Sequence, residues 1–332
     1  MTPQNNSKPA KHKVPPKKVI GYLFRLIAHK LGLTKLITNK SITPLWQHRI
    51  LQYGLLMRVD KPIGTLLLLW PTMWALWLAS DSFPSPHLIV IFVCGVFLMR
   101  SAGCVINDYA DRDIDNKVSR TRNRPLTVRK VTENEALMLF MSLALVAFAL
   151  VLLLNKLSVI LSFVALTIAI IYPYMKRVTY FPQVVLGMAF SMAIPMAFAA
   201  VQNEIPLTAW LLYITNLLWV LAYDTLYGMV DKKDDLKIGL KSTAIFFGEA
   251  DLHITAFIQG LFIFGMVLVG AKFELNLYYY ASLAIATSLI IGQLYSCRKK
   301  EPRKCFAAFL NNNWVGLVIF VGILVAKWTA ES

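Results

Sequence analysis

The chain consists largely of apolar runs long enough to cross a bilayer, and this limits its fold more than any other feature. A helical span needs about 20 apolar residues. Nine stretches approach that length: 62–80, 87–106, 134–155, 157–175, 182–201, 206–225, 253–271, 276–296 and 312–328. Short polar or proline-bearing breaks separate them, such as Asp81-Ser82-Phe83-Pro84-Ser85-Pro86 and Lys272-Phe273-Glu274. In lipid only helices and closed barrels satisfy their own backbone groups, and these runs are too long and continuous for barrel strands. The expected fold is therefore an all-α polytopic membrane protein with about nine transmembrane helices.

Basic residues orient the bundle. They crowd the segment before the first run and alternate loops after it: Arg112 to Lys130, Lys176 with Arg177, Lys232 to Lys241, and Arg298 to Lys304. The opposite loops hold little beyond Lys156 and Lys272. The positive-inside rule predicts a cytoplasmic N-terminus. The net charge of +16 follows from this asymmetry and from attraction to anionic lipid, so no nucleic-acid partner is expected. Two domains are expected: a basic tail over 1–45 and a membrane-embedded domain over 46–332. Residues 1–59 contain no Asp or Glu, and Lys8, Lys11, Lys13, Lys17 and Lys18 lie among prolines. Val19 to Ile37 mixes apolar and basic residues as an interfacial helix does. An acid-poor basic start also suits a transit peptide. The expected location is the bacterial inner membrane, with the mitochondrial inner membrane as the alternative. The cysteines form no CxxC pair, which argues against a zinc or redox motif.

Carboxylates beside hydrocarbon are costly and usually functional. Two clusters stand at the ends of spans on the basic side. In the first, Asn107, Asp111 and Asp115 are spaced i, i+4, i+8, which on a helix is one face with about 6 Å of rise per step. Asp108 turns away by about 100° on the same helix and is expected to act as an outer partner or cap. In the second, Asp231 and Asp235 are also i, i+4, with Tyr227 and Asp224 one and two turns earlier. Hard oxygen donors suit Mg²⁺, which commonly binds through one or two carboxylates plus substrate phosphates. Two such faces could grip one diphosphate. Its cations would come from Arg120, Arg122 and Arg124 after the first cluster, Lys237 and Lys241 after the second, and Lys176 with Arg177 closing the fourth span. Arg100, inside the second span, is expected to face a polar interior.

On these residues the chain resembles the UbiA prenyltransferase superfamily, most closely its 4-hydroxybenzoate polyprenyltransferases. The matching stretches are LMRVDKPIGTLLLLWPTMWALW from Leu56, AGCVINDYADRDID from Ala102, YPYMKRVTYFPQVVLG from Tyr172, YDTLYGMVDKKDDLKIGLKSTAIFFG from Tyr223, and CFAAFLNNNWVGLVIF from Cys305. The resemblance implies nine helices around a central cavity open sideways to lipid. It implies a metal set of Asn107, Asp111, Asp115, Asp231 and Asp235 holding Mg²⁺ and a polyprenyl diphosphate. Tyr172 and Lys176 fall on a family YxxxK pattern, Arg177 on an arginine tied to activity, and Arg58 on an arginine placed near the aromatic acceptor. The implied reaction, in ubiquinone biosynthesis, joins the prenyl group to the carbon ortho to the hydroxyl of 4-hydroxybenzoate. Either an aspartate or the departing diphosphate would take the ring proton. One departure stands out: Thr127-Val128-Arg129 occupies the place of a usual Pro-Ser-Gly turn. The rival readings are transfer to a naphthoate, a homogentisate or haem, and, from another class, a transporter. A transporter predicts polar residues through the full membrane depth, whereas the acids here crowd one side.

Overall fold

The computed structural model describes residues 45–118 and 120–331, with side chains from Arg49 to Ala330. The basic tail and its interfacial helix lie outside the described residues. The chain divides into two compact units, Met1–Leu51 and Gln52–Ser332, and the second carries the features below.

Every regular element among the described residues is helical: α1 (Leu45–Leu56), α2 (Ile63–Ala79), α3 (Pro86–Asp111), α4 (Glu133–Val151), α5 (Lys156–Val178), α6 (Pro182–Ser191), α7 (Ala193–Gln202), α8 (Leu207–Ile238), α9 (Thr243–Phe246), α10 (Asp251–Lys272), α11 (Leu277–Cys297) and α12 (Pro302–Glu331), besides two 3-10 turns. Eight helical segments are long and apolar enough to cross a membrane, and α2 is a shorter apolar helix of 17 residues. The expected span over 182–201 is broken at Met192, between α6 and α7. Pro195 explains the break, since its ring meets the carbonyl one turn back, at Ser191, and it has no N–H to give. Two spans run on past their apolar limits. α3 continues to Asp111 and α8 to Ile238, so both acidic segments begin as direct helical extensions of membrane helices.

Neighbouring helices pack in sequence order, and α12 closes the circuit by returning to α2. At the centre, Trp219 stacks on Phe262 at 5.6 Å and meets Trp74 at 5.3 Å and Tyr223 at 5.2 Å. Three indole N–H groups are satisfied by α12: Trp219 donates to Asn312 Oδ1 at 2.9 Å, Trp70 to Asn313 Oδ1 at 2.8 Å, and Trp74 to the Gly316 carbonyl at 3.1 Å. The Asn-Asn-Asn-Trp block is thus a core device, because a buried indole in lipid needs an acceptor. Outward-facing Met138, Leu145, Phe163, Phe264 and Ile291 are exposed and form lipid-facing surface.

Gly316 is where α12 approaches the tryptophans most closely. A Cβ there would lie 2.5 Å from Trp70 Cδ1 and 2.8 Å from Trp219 Cη2. Both rings are held by their hydrogen bonds, so Gly316→Ala should lower stability by about 1–3 kcal/mol, read as a drop in melting temperature in detergent.

Candidate active site

The first acidic segment begins on α3 and ends off it. Asn107, Asp108 and Asp111 are helical, while Asp115 opens a 3-10 turn, Asp115–Lys117, after a break at 112–114. The expected single face over Asn107, Asp111 and Asp115 is therefore corrected: the helix ends at Asp111, and the following turn brings Asp115 back. Asn107 Nδ2 reaches Asp111 Oδ2 at 3.3 Å.

Cations from three other segments converge here. Arg124 Nη1 contacts Asp115 Oδ2 at 2.8 Å and Asp108 Oδ1 at 3.0 Å. Arg58 Nη2 straddles both oxygens of Asp108, at 2.8 and 3.0 Å. Lys176, near the end of α5, meets Asp111 Oδ2 at 2.5 Å. Arg120 grips Asp231 on α8 at 2.5 and 3.1 Å and lies 4.6 Å over the Tyr227 ring. The loop from Arg112 to Thr132 thereby joins the two acidic segments. Its far end is fixed by a capping box, in which Thr132 and Glu135 exchange hydrogen bonds, and by Tyr53 donating to Glu135 at 2.9 Å.

The backbone explains two of these placements. Arg58 has φ 60°, the left-handed value usually left to glycine at a helix end. Its N–H bonds the Leu55 carbonyl and the Val59 N–H bonds the Gly54 carbonyl, a Schellman closure of α1. Side-chain strain at such a position costs roughly 1–2 kcal/mol, and here the guanidinium reaches buried Asp108. Arg129, in place of the usual glycine of the Pro-Ser-Gly turn, likewise has φ 56°.

Other expected site residues lie elsewhere. Arg177 donates to the Ala110 carbonyl at the end of α3 and lies 5.7 Å over Tyr174, so it braces the helix terminus. Lys241 bonds the Val178 carbonyl at 2.9 Å and lies 5.4 Å over Tyr180. Lys237 is largely exposed, 3.6 Å from Asp234, because it falls on the opposite side of α8 from Asp231 and Asp235. Neither lysine meets a carboxylate of the two motifs. Asp108, expected as a cap or outer partner, is fully enclosed between Arg58 and Arg124. Cys104 accepts from Arg100 Nη1 at 2.6 Å. The Arg120 contact and the depth of Asp108 depend on loop folding that periodicity does not encode.

Burial works against the charges of Arg120 and Arg124, but their acidic and phenolic neighbours outweigh it and hold both above the ordinary arginine pKa. Burial raises the Asp115 carboxyl above its usual value, opposed by Arg124. The site is a balanced cluster of opposite charges. Among the described residues, no three acidic, His or Cys side chains form a ready metal cage. Two donors nevertheless fit a hard cation. Asp111 Oδ1 is buried without a hydrogen-bond partner, and Asp235 has no ion pair among the described residues. Such a set suits a divalent ion that arrives with phosphate oxygens rather than one caged by protein alone.

Known proteins match the chain over most of its length. The profile of the UbiA prenyltransferase family matches residues 68–323. A 4-hydroxybenzoate octaprenyltransferase of Ectopseudomonas mendocina is 55% identical over 270 residues, covering 81% of this chain and 91% of its own length. One from Xanthomonas euvesicatoria is 53% identical over 297 residues, covering 90% and 98%. Among solved structures, the apo form of a UbiA homolog from Aeropyrum pernix aligns with a TM-score of 0.71 at 26% identity, covering 79% of this chain and 98% of that one. A UbiA homolog from Archaeoglobus fulgidus, bound to GPP and Mg²⁺, shares the fold with a TM-score of 0.62 at 17% identity, over 83% and 99%.

Proposed function

The chain belongs to the UbiA prenyltransferase family, and from that premise we propose that it transfers a polyprenyl group from a polyprenyl diphosphate to 4-hydroxybenzoate. The new bond forms at the ring carbon ortho to the hydroxyl, and the product feeds ubiquinone biosynthesis. The supporting observation is the pair of acidic segments joined by Arg120, with a bare Asp111 oxygen between cations that a diphosphate would attract. The relatives named as octaprenyltransferases favour a long donor.

Asn107, Asp111, Asp115, Asp231 and Asp235 would hold Mg²⁺, which when bound neutralises charge on the leaving diphosphate. Arg120, Arg124 and Lys176 supply fixed positive charge where the allylic carbon–oxygen bond breaks. Tyr172, one turn before Lys176 on α5, packs against the apolar core and is the side chain that would line the diphosphate end of the donor. The surrounding apolar walls exclude water, which would otherwise trap the allylic cation. The ring carbon then attacks that cation. Arg58 is committed to Asp108 and would have to exchange partners to meet the acceptor's carboxylate. The basic side of the bundle faces the cytoplasm by the positive-inside rule, in a bacterial inner membrane. In this reading residues 46–332 are the catalytic unit.

Purified protein given a prenyl diphosphate series together with 4-hydroxybenzoate, a dihydroxynaphthoate and homogentisate tests the acceptor directly. Mass spectrometry should find prenylated 4-hydroxybenzoate as the main product. Predominant transfer to either rival acceptor would overturn the substrate and keep the reaction type.

A further inference from the structure

Beneath the acidic layer lies a second polar layer. Arg100 precedes Asn107 on α3 by two turns, and Asp224 precedes Asp231 on α8 by two turns. Each continues the face of its motif roughly 10 Å toward the membrane interior. Tyr172 on α5 and Tyr227 on α8 complete the layer. The Tyr172 phenol feels Asp224, Asp111, Tyr227 and Arg100. Asp224 is partly accessible while both flanking residues, Tyr223 and Thr225, are fully enclosed, so its side chain opens onto internal space.

The two charged members of this layer are under-satisfied. Asp224 makes no hydrogen bond and no ion pair among the described residues. Arg100 is near enough to act on it electrostatically but not within ion-pair distance; it gives Nη1 to the weak acceptor Cys104, and its Nε is buried without a partner. A bland reading makes Asp224 a structural counterion of Arg100. That reading predicts direct contact, which is absent. Intramembrane carboxylates are normally paired, and one left open toward a cavity marks a functional group.

We propose that Asp224 is the base that removes the ring proton in the reaction assigned above, and this inference rests on that assignment. After the new carbon–carbon bond forms, the attacked ring carbon carries both the prenyl group and its original hydrogen. The carbon–hydrogen pair returns to the ring and restores aromaticity, while the proton passes to an Asp224 carboxylate oxygen. The neutral carboxyl then loses that proton to water before the next turnover. The other carboxylates suit this step poorly. Asp111, Asp115 and Asp231 are neutralised by Lys176, Arg124 and Arg120, and a carboxylate tied to a cation is a weak base. Asp235 is free, but it lies beyond Asp231 on the far side from the apolar interior.

The test compares 4-hydroxybenzoate with its analogue deuterated at both carbons ortho to the hydroxyl, in wild type, Asp224→Asn and Asp224→Glu. Asp224→Asn should lower kcat by on the order of 10²-fold. It should also develop a primary isotope effect larger than that of wild type, with KM for the prenyl diphosphate unchanged. Asp224→Glu, which keeps a displaced base, should fold and show an intermediate rate and isotope effect. Wild-type turnover in Asp224→Asn overturns the proposal. So does a fall in kcat without a raised isotope effect, the signature of a structural role. Should Asp224→Asn not fold, an isotope effect in Asp224→Glu equal to wild type overturns it equally. Absence of prenylated 4-hydroxybenzoate from the wild-type arm is a separate result and rejects the reaction assignment itself.

Discussion

Asp111→Ala and Asp231→Ala each lower prenyl transfer by on the order of 10³-fold, while the helices still insert and pack. Asp111 accepts from Lys176 at 2.5 Å and from Asn107 at 3.3 Å through one oxygen, and leaves the other buried and bare. An unpaired oxygen in such surroundings is costly unless something binds it. A divalent cation held in part by Asp111 would supply the missing partner and neutralise charge on the leaving diphosphate. Asp231 holds Arg120 at 2.5 Å and thereby fixes the loop between α3 and α4 across the site. Alanine at either position keeps the attracting cations and removes the donor. The variants should therefore retain affinity for diphosphate analogues while losing Mg²⁺ binding by calorimetry. Chelation by EDTA should reproduce the loss in the unaltered protein, and added Mg²⁺ should reverse it there but not in the variants. A monodisperse, fully helical Asp111→Ala with normal turnover would refute the metal assignment.

Hydropathy located the membrane helices but not their ends. It reports where lipid begins, whereas a helix continues as long as its backbone ladder is supported. α8 runs to Ile238 because Lys232 is anchored to Asp251 at 2.8 Å and Gly239, at φ 72°, closes the C-terminus. The break before Ala193 was hidden inside an unbroken apolar run, and only Pro195 signals it. Spacing correctly paired Asp231 with Asp235 on one helix. It failed at Asp115, since a periodic pattern cannot show that the helix stops at Asp111. The depth of Asp108 was not legible either: its partners, Arg58 and Arg124, come one from a left-handed turn and one from a loop. The Asn312 and Asn313 pair shows the converse. Polar residues in an apolar helix read as a site, yet their partners are tryptophan indoles of the core.

The second large effect falls on stability as well as rate. Arg124 reaches Asp108 and Asp115 with one nitrogen, at 3.0 and 2.8 Å, and both carboxylates are buried. Removing one partner of a buried pair costs about 3–5 kcal/mol, because the remaining charge is left uncompensated. In Arg124→Ala, Asp108 keeps Arg58, while Asp115 loses its only ion pair among the described residues. The variant should melt well below wild type in detergent and be inactive. Arg124→Lys should recover only part of the stability, since an ammonium is more strongly hydrated than a guanidinium and costs more to bury between the two carboxylates. The double variant Arg124→Ala with Asp115→Ala isolates the cause. It removes the stranded carboxylate, so its melting temperature should exceed that of the single variant, giving a coupling energy from the cycle. Its turnover should not recover, because Asp115 also belongs to the set that would hold the metal and diphosphate. Equal melting of the single and double variants would show that the pair contributes nothing to stability and that Arg124 acts on the substrate alone.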